Sequence, residues 1–383
     1  MAARWTAGAA ALAMAALWAG AAPVASFRAL GDLAGGDFHS TPRGISADGS
    51  TVVGTSLSHN QATEAFCWRE ETGMVPLGFV AGGEAYSVAF DASSDGSVVV
   101  GTAYPDPSIE PVCWEQPGGI RRLGFLRGYT GSGFGNALGV SADGSTIVGE
   151  SSSADGYQAF RWTWSGGMRA LGDLPGGRFE SRANAASADG SVIVGQSVSG
   201  SGWEAFRWTA ALGMVGLGDL AGGDFSSRAT AVSADGNVIV GQAISDRGYE
   251  PFRWTQQTGM VGLGHLREGM ASSAACDVSA DGSIVVGECY DEGDTQAFIW
   301  DAENGMRDLQ AVLTDECGLD LTGWRLHRAA AISDEGCTIA GHGVNGEGNT
   351  EAWLAVLPEP ATLLLVACGA VALIGRRRTA IAD

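Results

Sequence analysis

The sequence contains no lysine, so every fixed cationic side chain among its 22 basic residues is an arginine. Aspartate and glutamate together number 43, which leaves a formal net charge of −21 at pH 7. A surface of that charge repels DNA, RNA and anionic polysaccharide unless a divalent cation bridges the two. The composition therefore argues against nucleic acid as a partner.

Several catalytic and metal-binding motifs are also absent from the sequence. It has no Cys-x-x-Cys pair, which argues against a zinc ribbon or a thioredoxin-like site. Neither His-Glu-x-x-His nor Gly-x-Ser-x-Gly occurs, and the five histidines occupy unrelated positions. The glycine-rich clusters precede no helical pattern, so nucleotide binding is not expected. Local motifs thus identify no active site.

What the chain does contain is an Asp-Gly dipeptide that recurs six times in one setting, between small residues and a Val/Ile-Val-Gly run. Glu335-Gly336 is a seventh variant, and the successive glycines are 47, 48, 46, 46, 46 and 54 residues apart. Repetition at such a period indicates one supersecondary unit copied seven times. The glycines are Gly49, Gly96, Gly144, Gly190, Gly236, Gly282 and Gly336.

The repeat from Ser227 to Gly264 shows what each unit contains. Small residues lead to Asp235-Gly236, a hairpin signal, and a β-branched run follows. A Phe-x-Trp segment and a Gly-Met-x-x-Leu segment complete the unit, which predicts four short strands. We interpret the aspartates as residues of type I′ turns, where both central positions need positive φ, and not as metal ligands.

The Phe and Trp of each Phe-x-Trp segment point to the same face of a strand, because one residue separates them. We therefore predict that they pack between neighbouring sheets; a ring of sugar-stacking aromatics is the alternative. A Gly-Met-x-x-Leu strand follows only six of the aromatic segments, and Phe27 to Leu33 at the other terminus supplies the missing copy.

The predicted fold is all-β, a seven-bladed β-propeller of four-stranded blades over residues 26–357. An N-terminal strand would complete the last blade and so remove exposed sheet edges. An open solenoid is the alternative, and it gives no reason for the split repeat.

The repeat units resemble a known family. Units reading Leu-Gly-x-Leu-x-Gly-Gly, Ala-x-x-x-Ser-x-Asp-Gly-x-x-x-Val-Gly and Ala-Phe-x-Trp are similar to the HAF-type extracellular repeats of bacterial secreted proteins. The resemblance spans nearly all of residues 27–357, with departures at Pro111-Val112-Cys113, from Gln310 to Arg328, and at Glu335 and Trp353. It implies an extracellular location and no particular activity.

Both ends of the chain carry the pattern of a targeting segment. Residues 1–25 combine Arg4 with an apolar run, which predicts a secretory signal peptide. Residues 358–383 resemble a PEP-CTERM sorting signal, which implies a short transmembrane helix held transiently in the inner membrane until an exosortase-type enzyme processes it; a permanent anchor is the alternative. The residues that carry this resemblance are Pro358, Glu359, Pro360, Arg376, Arg377 and Arg378. The expected location is the periplasm, outer surface or extracellular matrix of a Gram-negative bacterium.

Export exposes the cysteines to an oxidising compartment. Cys276 and Cys289 flank a predicted turn at nearly opposed positions, and Cys317 and Cys337 lie within one repeat. These are candidate disulfide pairs, with free buried thiols as the alternative.

A series of acids offers candidate ligand-binding residues on predicted loops. A ring of carboxylates there would suit Ca²⁺ or a glycan, because hard cations prefer oxygen ligands. Hydrogen bonding at strand ends is the alternative that the pattern favours, and no other cofactor is expected. The acids are Glu64, Glu110, Glu204, Glu250, Asp291, Asp294 and Glu351.

The sequence favours an exported, surface-sorted, non-enzymatic repeat protein that associates with extracellular matrix or polysaccharide, or serves adhesion. The alternative is a secreted glycan-active hydrolase or lyase with a site on the propeller loop face. Carboxylate pairs do not separate the two, because 43 acids always include a pair at glycosidase spacing. An enzyme should instead show a few repeats that depart from the rest, and repeats two, six and seven depart most.

Overall fold

The computed structural model of the protein describes residues 24–116, 118–270, 272–291 and 293–358, and only the backbone of residue 291. Strands and tight turns make up nearly all of this part of the chain, so the fold is all-β, as predicted. Within these residues no helix is long and apolar enough to cross a membrane. The signal peptide up to residue 23, and the sorting segment from Glu359 onward, lie outside the described residues.

The strands pair antiparallel in sets of four, and each set corresponds to one sequence repeat. Set 1 contains β2 (Gly35–Ile45), β3 (Thr51–Ser58), β4 (Thr63–Arg69) and β5 (Gly73–Pro76). Set 2 contains β6 (Ser87–Ala92), β7 (Val98–Ala103), β8 (Glu110–Glu115) and β9 (Gly119–Arg122). Set 3 contains β10 (Gly135–Val140), β11 (Thr146–Ser152), β12 (Tyr157–Thr163) and β13 (Gly167–Ala170).

The next three sets have the same order. Set 4 contains β14 (Gly176–Ala186), β15 (Val192–Ser199), β16 (Gly202–Thr209) and β17 (Gly213–Gly216). Set 5 contains β18 (Gly222–Val232), β19 (Val238–Ser245), β20 (Gly248–Thr255) and β21 (Gly259–Gly262). Set 6 contains β22 (Ser272–Val278), β23 (Ile284–Asp291), β24 (Asp294–Asp301) and β25 (Gly305–Asp308).

The seventh set draws on both ends of the described chain. It contains β26 (Arg325–Ile332), β27 (Thr338–Val344), β28 (Thr350–Val356) and β1 (Ser26–Ala29). Strand β1 lies antiparallel to β28, with Phe27 opposite Ala355. A short helical segment, Leu309–Ala311 continuing as Val312–Glu316, connects sets 6 and 7; a further short 3-10 turn, His59–Gln61, lies in set 1.

Single parallel bridges join neighbouring sets, such as that between Tyr157 and Glu180, and give sheets of 8, 16 and 4 strands. The glycine of each Asp-Gly turn also lies against the preceding set: a Cβ on Gly96 would lie 2.6 Å from Thr51 Oγ1. In the same way a Cβ on Gly49, in the first set, would lie 2.9 Å from Thr338, in the last. Close contacts therefore join successive sets and also join the first set to the last.

A row of backbone hydrogen bonds connects the Asp-Gly turns of successive sets. The amide of Ala142 donates to the carbonyl of Ala188 at 3.0 Å, and Ala188 donates to Ala234 at 3.1 Å. Asp334 in set 7 donates to Ala47 in set 1 at 3.0 Å. These bonds link the Asp-Gly turns of neighbouring sets, and the Glu-Gly turn of the last set to the Asp-Gly turn of the first.

The Asp-Gly segments form longer turns than the type I′ turn that we predicted. Between β2 and β3, Gly49 has φ 73° but Asp48 has no positive φ, whereas a type I′ turn needs two. Asp48 accepts hydrogen bonds from the Ser46 hydroxyl at 2.7 Å and the Ser50 amide at 2.9 Å. The aspartates do hold the turn, but through a Ser-x-Asp arrangement whose serine the dipeptide alone does not reveal.

The core lies between sets and consists mainly of the Phe-x-Trp segments. Phe66 and Trp68 of set 1 pack with Ala331, Ala340 and Ala352 of set 7. Phe160 and Trp162 of set 3 pack in the same way with residues of set 2. Burying one such ring contributes about 1.5–3 kcal/mol, so these residues are the main source of cohesion between sets. The predicted packing role is confirmed.

Candidate active site

The first strand of every set contains a β-bulge at the equivalent residue. In β2 the register shifts between Pro42 and Gly44, and in β22 it shifts between Ala275 and Asp277. A bulge leaves one residue unpaired and redirects its side chain. The seven bulged residues are Arg43, Phe90, Leu138, Asn184, Thr230, Cys276 and Ala330.

All seven bulged residues line one cavity of about 430 Å³, hereafter the bulge cavity. Each of them stands five positions before the acid of its own Asp-Gly or Glu-Gly turn. Although the turn and the aromatic segment hardly change between repeats, no two bulged residues are the same. Packing between sets does not require such differences, whereas a cavity that orients one ligand does, because specificity comes from a few placed polar groups.

Arginine is the most frequent polar residue in this cavity. The four that line it are Arg43, Arg182, Arg228 and Arg328. Arg328 lies 3.1 Å from Glu288, and Arg182 lies 3.6 Å from Glu150. Arg43 stacks on the ring of Phe90, with 5.2 Å between the guanidinium carbon and the ring centroid.

Arg43 and Arg228 differ from the other two, because neither guanidinium has an ion-pair or hydrogen-bond partner in the described part of the chain. Both side chains are exposed to the solvent that fills the cavity, and the cavity walls lie around them. Burial first, and then neighbouring arginines, lower the pKa of Arg43 and of Arg228. Arginine titrates so far above neutrality that both groups remain charged.

His342 stands opposite Arg328 in the β26–β27 ladder and also lines the cavity. Burial is the largest cause that lowers the pKa of His342 to about 4, and Arg328 is the next. The imidazole is therefore neutral at pH 7. Its Nδ1 atom is buried and has no hydrogen-bond partner among the residues that the structure describes, so a base at this residue would have to act through the other ring nitrogen. A neutral imidazole is the form that accepts a proton in general base catalysis.

Two aspartates immediately follow bulged residues, Asp91 in β6 and Asp277 in β22. Asp91 accepts a hydrogen bond from the Val140 amide at 3.0 Å, and Asp277 accepts one from the Ile332 amide at 2.8 Å. Each therefore ties its own set to the next. Burial raises the pKa of Asp91 and of Asp277 to about 7.

The glutamates of the expected ligand series have other partners in the structure. Glu204 accepts from the Gly218 amide at 3.1 Å, and Glu250 accepts from the Gly264 amide at 2.8 Å. Glu351 accepts from the Gly31 amide at 3.1 Å. Each of these carboxylates therefore accepts a hydrogen bond from the Leu-Gly turn of its own set. The Glu lies near the start of the third strand, and the turn follows the end of the antiparallel fourth strand, so the two are neighbours.

The remaining acids of that series do not come together at one site either. Glu110 forms an ion pair with Arg122 at 2.5 Å, Glu64 is buried, and Asp294 pairs with Arg325. The side chain of Asp291 lies outside the described residues. No group of three or more His, Cys, Asp or Glu residues able to hold a metal ion occurs in residues 24–358 where the structure describes them.

The expected cysteine pairs are not bonded in the structure: Cys276, Cys289, Cys317 and Cys337 are free thiols. Cys276 faces the bulge cavity, whereas Cys289 packs in the core between sets 5 and 6, 3.7 Å from the Met306 sulfur. The register of β22 and β23 explains this separation, because Cys289 lies opposite Ser273, and Cys276 lies three residues farther along the strand. Burial raises the pKa of Cys276 to about 11, so its thiol is protonated and is a poor nucleophile.

Exposed aromatic rings lie at the end of the first strands opposite the Asp-Gly turns. Phe38, Phe179 and Phe225 are 37%, 59% and 36% exposed. Phe179 and Phe225 stand three residues before Arg182 and Arg228 on the same strands, a separation of roughly 10 Å at about 3.3 Å per residue. Exposed aromatic side chains at adjacent strand ends are Tyr86, Tyr157, Tyr249 and Tyr290.

No family model matches the chain, and no curated protein matches it. Among solved structures, it is similar to an oligogalacturonate lyase in complex with manganese, with 12% identity, TM-score 0.54, and coverage of 89% of this chain and 98% of that one. It is also similar to a puromycin hydrolase variant in complex with a ligand, with 15% identity, TM-score 0.52, and coverage of 81% of this chain and 53% of that one.

A third similar structure is TolB from Acinetobacter baumannii, with 14% identity, TM-score 0.49 and 68% of this chain covered. The chain spans 63% of the length of that TolB and 53% of the length of the hydrolase, which is less than two thirds of each.

The two likenesses with the higher TM-scores establish a β-propeller-like fold. They also correct the expectation that the protein is not an enzyme, since lyases and hydrolases are built on this fold. That expectation was wrong. It rested on repeat positions that packing explains, and it did not consider the positions at which the repeats differ.

Proposed function

We propose that the protein is an exported glycan-active enzyme, a lyase or hydrolase, whose site is the bulge cavity of a seven-bladed β-propeller. The observation that carries this proposal is the asymmetry of the cavity. Seven equivalent bulges present seven different residues, and the neighbouring strand positions add Arg328, His342 and Glu288. Ionisable groups that converge in one cavity of an otherwise repetitive chain are typical of an active site.

Three structural features support the closed seven-bladed arrangement. Each of the seven sets has four strands, and β1 completes the set that contains β28. Gly49 lies against Thr338, and Asp334 donates to Ala47, so the first and last sets are in contact. A closed ring of this kind removes the sheet edges that an open array would expose.

The exposed aromatic rings support a glycan as the substrate. A tyrosine or phenylalanine ring offers a large flat apolar face, and the C–H faces of a pyranose ring pack well against such a surface. Phe179 and Phe225 are exposed near the ends of first strands that also carry the cavity residues Arg182 and Arg228. The oligogalacturonate lyase of similar fold is named for an oligosaccharide substrate, which agrees with this assignment.

The residues of the cavity divide into two roles in this proposal. His342, which lines the cavity and is neutral at pH 7, is the general base. Arg43, Arg182, Arg228 and Arg328 bind and orient the substrate and stabilise negative charge that develops on it. The manganese of the similar lyase has no counterpart cluster among the described residues of this chain.

Export and sorting complete the proposal. Residues 1–25 would direct secretion, and the HAF-type repeats and the PEP-CTERM-like segment from Pro358 to Arg378 would place the enzyme outside the inner membrane after exosortase processing. Fractionation of cells that carry the chain with Glu359→Ala tests this: the processed form should be lost while the exported precursor accumulates. Normal processing of that variant would contradict the sorting assignment.

Product formation from a panel of neutral and acidic polysaccharides and oligosaccharides tests the catalytic proposal. The purified protein should release oligosaccharides, and His342→Gln should abolish release without changing the melting temperature. His59→Gln is the matched control, because His59 is exposed and lies outside the cavity. Equal turnover by His342→Gln, or no turnover of any glycan by the native protein, would overturn the proposal.

A further inference from the structure

We propose that the bulge cavity binds the carboxylate of an acidic sugar, so that the substrate is a uronate-containing glycan and not a neutral one. This inference rests on the proposed function and names its substrate class. The charge of the cavity, and not that of the outer surface, selects the charge of the ligand that binds.

The charge of the cavity is opposite to that of the whole protein. Four arginines line it against one lining glutamate, Glu288, with Glu150 beside Arg182 as the second acid. Four positive and two negative charges leave an excess of two positive charges among these lining and paired side chains, in a chain of net charge −21. A concave site with low-dielectric walls concentrates such a field and attracts anions into the cavity. The expectation that anionic polysaccharide is repelled follows from the net charge of the whole chain, and the charge of this cavity has the opposite sign.

Arg43 and Arg228 supply the unmatched charge. Within the described residues, Glu288 and Glu150 already have arginine partners in Arg328 and Arg182, and no carboxylate reaches either of the other two. A guanidinium presents a planar fork of donors that fits a carboxylate with two parallel hydrogen bonds. A neutral hydroxyl would leave this charge uncompensated, whereas a carboxylate would compensate it.

The carboxylate would also change the chemistry of His342. The groups around its imidazole, after burial itself, are Arg328, His327, His39 and Arg43, and each lowers its pKa. An anion held by the arginines offsets part of that positive field, and the pKa of His342 then rises toward its ordinary value. The base therefore becomes stronger when the acidic sugar is bound, which couples substrate charge to catalysis.

Binding of galacturonate and glucuronate oligosaccharides, compared with neutral gluco-oligosaccharides of the same length, tests the inference by calorimetry. We expect the acidic ligands to bind at least about 10-fold more tightly, in line with the strength of hydrogen bonds to charged groups. Arg43→Gln and Arg228→Gln should each weaken acidic binding about 10-fold, and Arg43→Lys should retain part of it. Arg127→Gln, at an exposed arginine outside the cavity, should bind as the native protein does.

A second readout follows the His342 ring proton by NMR during pH titration. Its pKa should rise when an acidic oligosaccharide is present and stay unchanged with a neutral one. Equal affinity for neutral and acidic ligands, or acidic binding unchanged in both Arg43→Gln and Arg228→Gln, would overturn the inference while leaving the glycan-active proposal intact. Selective acidic binding without any turnover would instead support the carboxylate site and contradict the catalytic proposal.

Discussion

The Phe-x-Trp core and the bulge cavity occupy the same repeats but differ in how they vary. Phe66, Phe160, Phe206, Phe252 and Phe298 recur at one position and are all fully buried. The bulged residues also occupy one position, yet they range from Arg43 to Ala330. A residue that recurs in every set serves packing, which every set requires. Residues that differ between sets at one position serve a site that the whole molecule forms once. The functional residues of this repeat protein are therefore sought at positions where the repeats differ in sequence.

The largest expected effect is on stability and tests the packing half of this comparison. Phe252→Ala removes a fully buried ring between sets and should lower the free energy of unfolding by about 3–5 kcal/mol. Phe225→Ala, in the same set but 36% exposed, is the matched control and should cost far less. Chemical denaturation measures both. Equal losses in the two variants would show that the recurring aromatics are not the main source of cohesion.

The next effect tests the functional half of the comparison. His342→Gln should reduce turnover by roughly 10²- to 10⁴-fold, the usual contribution of a general base, and change the melting temperature little. Steady-state kinetics beside thermal unfolding separates the two effects. A large loss of stability with unchanged specific activity would place His342 among the packing residues.

A pH-dependent effect on stability distinguishes the two cavity-adjacent aspartates from the aspartates of the turns. Burial raises the pKa of Asp91 and Asp277 from 3.8 to about 7, so between these pH values the native protein holds protons that the unfolded chain has released. The free energy of unfolding contributed by these groups is therefore present below about pH 4 and declines as pH rises toward 7. The double variant Asp91→Asn, Asp277→Asn should show a flatter profile of unfolding free energy between about pH 4 and 7 in urea unfolding, and an unchanged slope would refute the assignment.

The turn aspartates affect the pH dependence of stability in the opposite direction. The Ser141 hydroxyl, donating to Asp143, is the largest cause that lowers the pKa of that carboxyl. Stability from this group is therefore present above its ordinary pKa and is lost as pH falls through the lower native value. Ionised carboxylates in such turns account for part of the unfolding expected in acid.

The smallest effect concerns the serine that completes each of these turns. Ser233 donates to Asp235 at 2.7 Å and accepts from the Val238 amide at 3.0 Å. Ser233→Ala leaves that amide unsatisfied and should cost about 1–3 kcal/mol. Ser201→Ala, at an exposed loop position, is the control and should stay within about 0.5 kcal/mol of the native protein. A loss of stability in Ser233→Ala no larger than that in the control would show that the turn serine does not stabilise the protein.

Sequence alone predicted the features that every repeat has in common. The Asp-Gly spacing predicted the strand sets, and the missing Gly-Met-x-x-Leu segment predicted that residues 27–33 belong with the last repeat, beside β28. The alternation of Phe and Trp predicted burial between sets. These features follow from local periodicity, which a single chain records several times over.

The cavity could not be predicted in this way, because its residues are brought together only by contacts between sets. Arg43 and Arg328 are far apart in sequence and meet through contacts between the first and last sets. The exact strand register is not encoded in any one residue, so a disulfide between Cys276 and Cys289 looked feasible although Cys289 lies opposite Ser273. The available signal was the varied residue five positions before each turn acid, and it becomes informative only once those positions are known to share a cavity.

The measurement that tests the central claim most directly is turnover of acidic oligosaccharides by the native protein and by Arg228→Gln, with melting temperature recorded for both. Arg228 lines the cavity, has no carboxylate partner among the described residues and contributes nothing to the recurring core. The account predicts turnover by the native protein, a loss of at least about 10-fold in Arg228→Gln, and equal melting temperatures. Turnover that is unaffected by Arg228→Gln, or absent from the native protein, would contradict it.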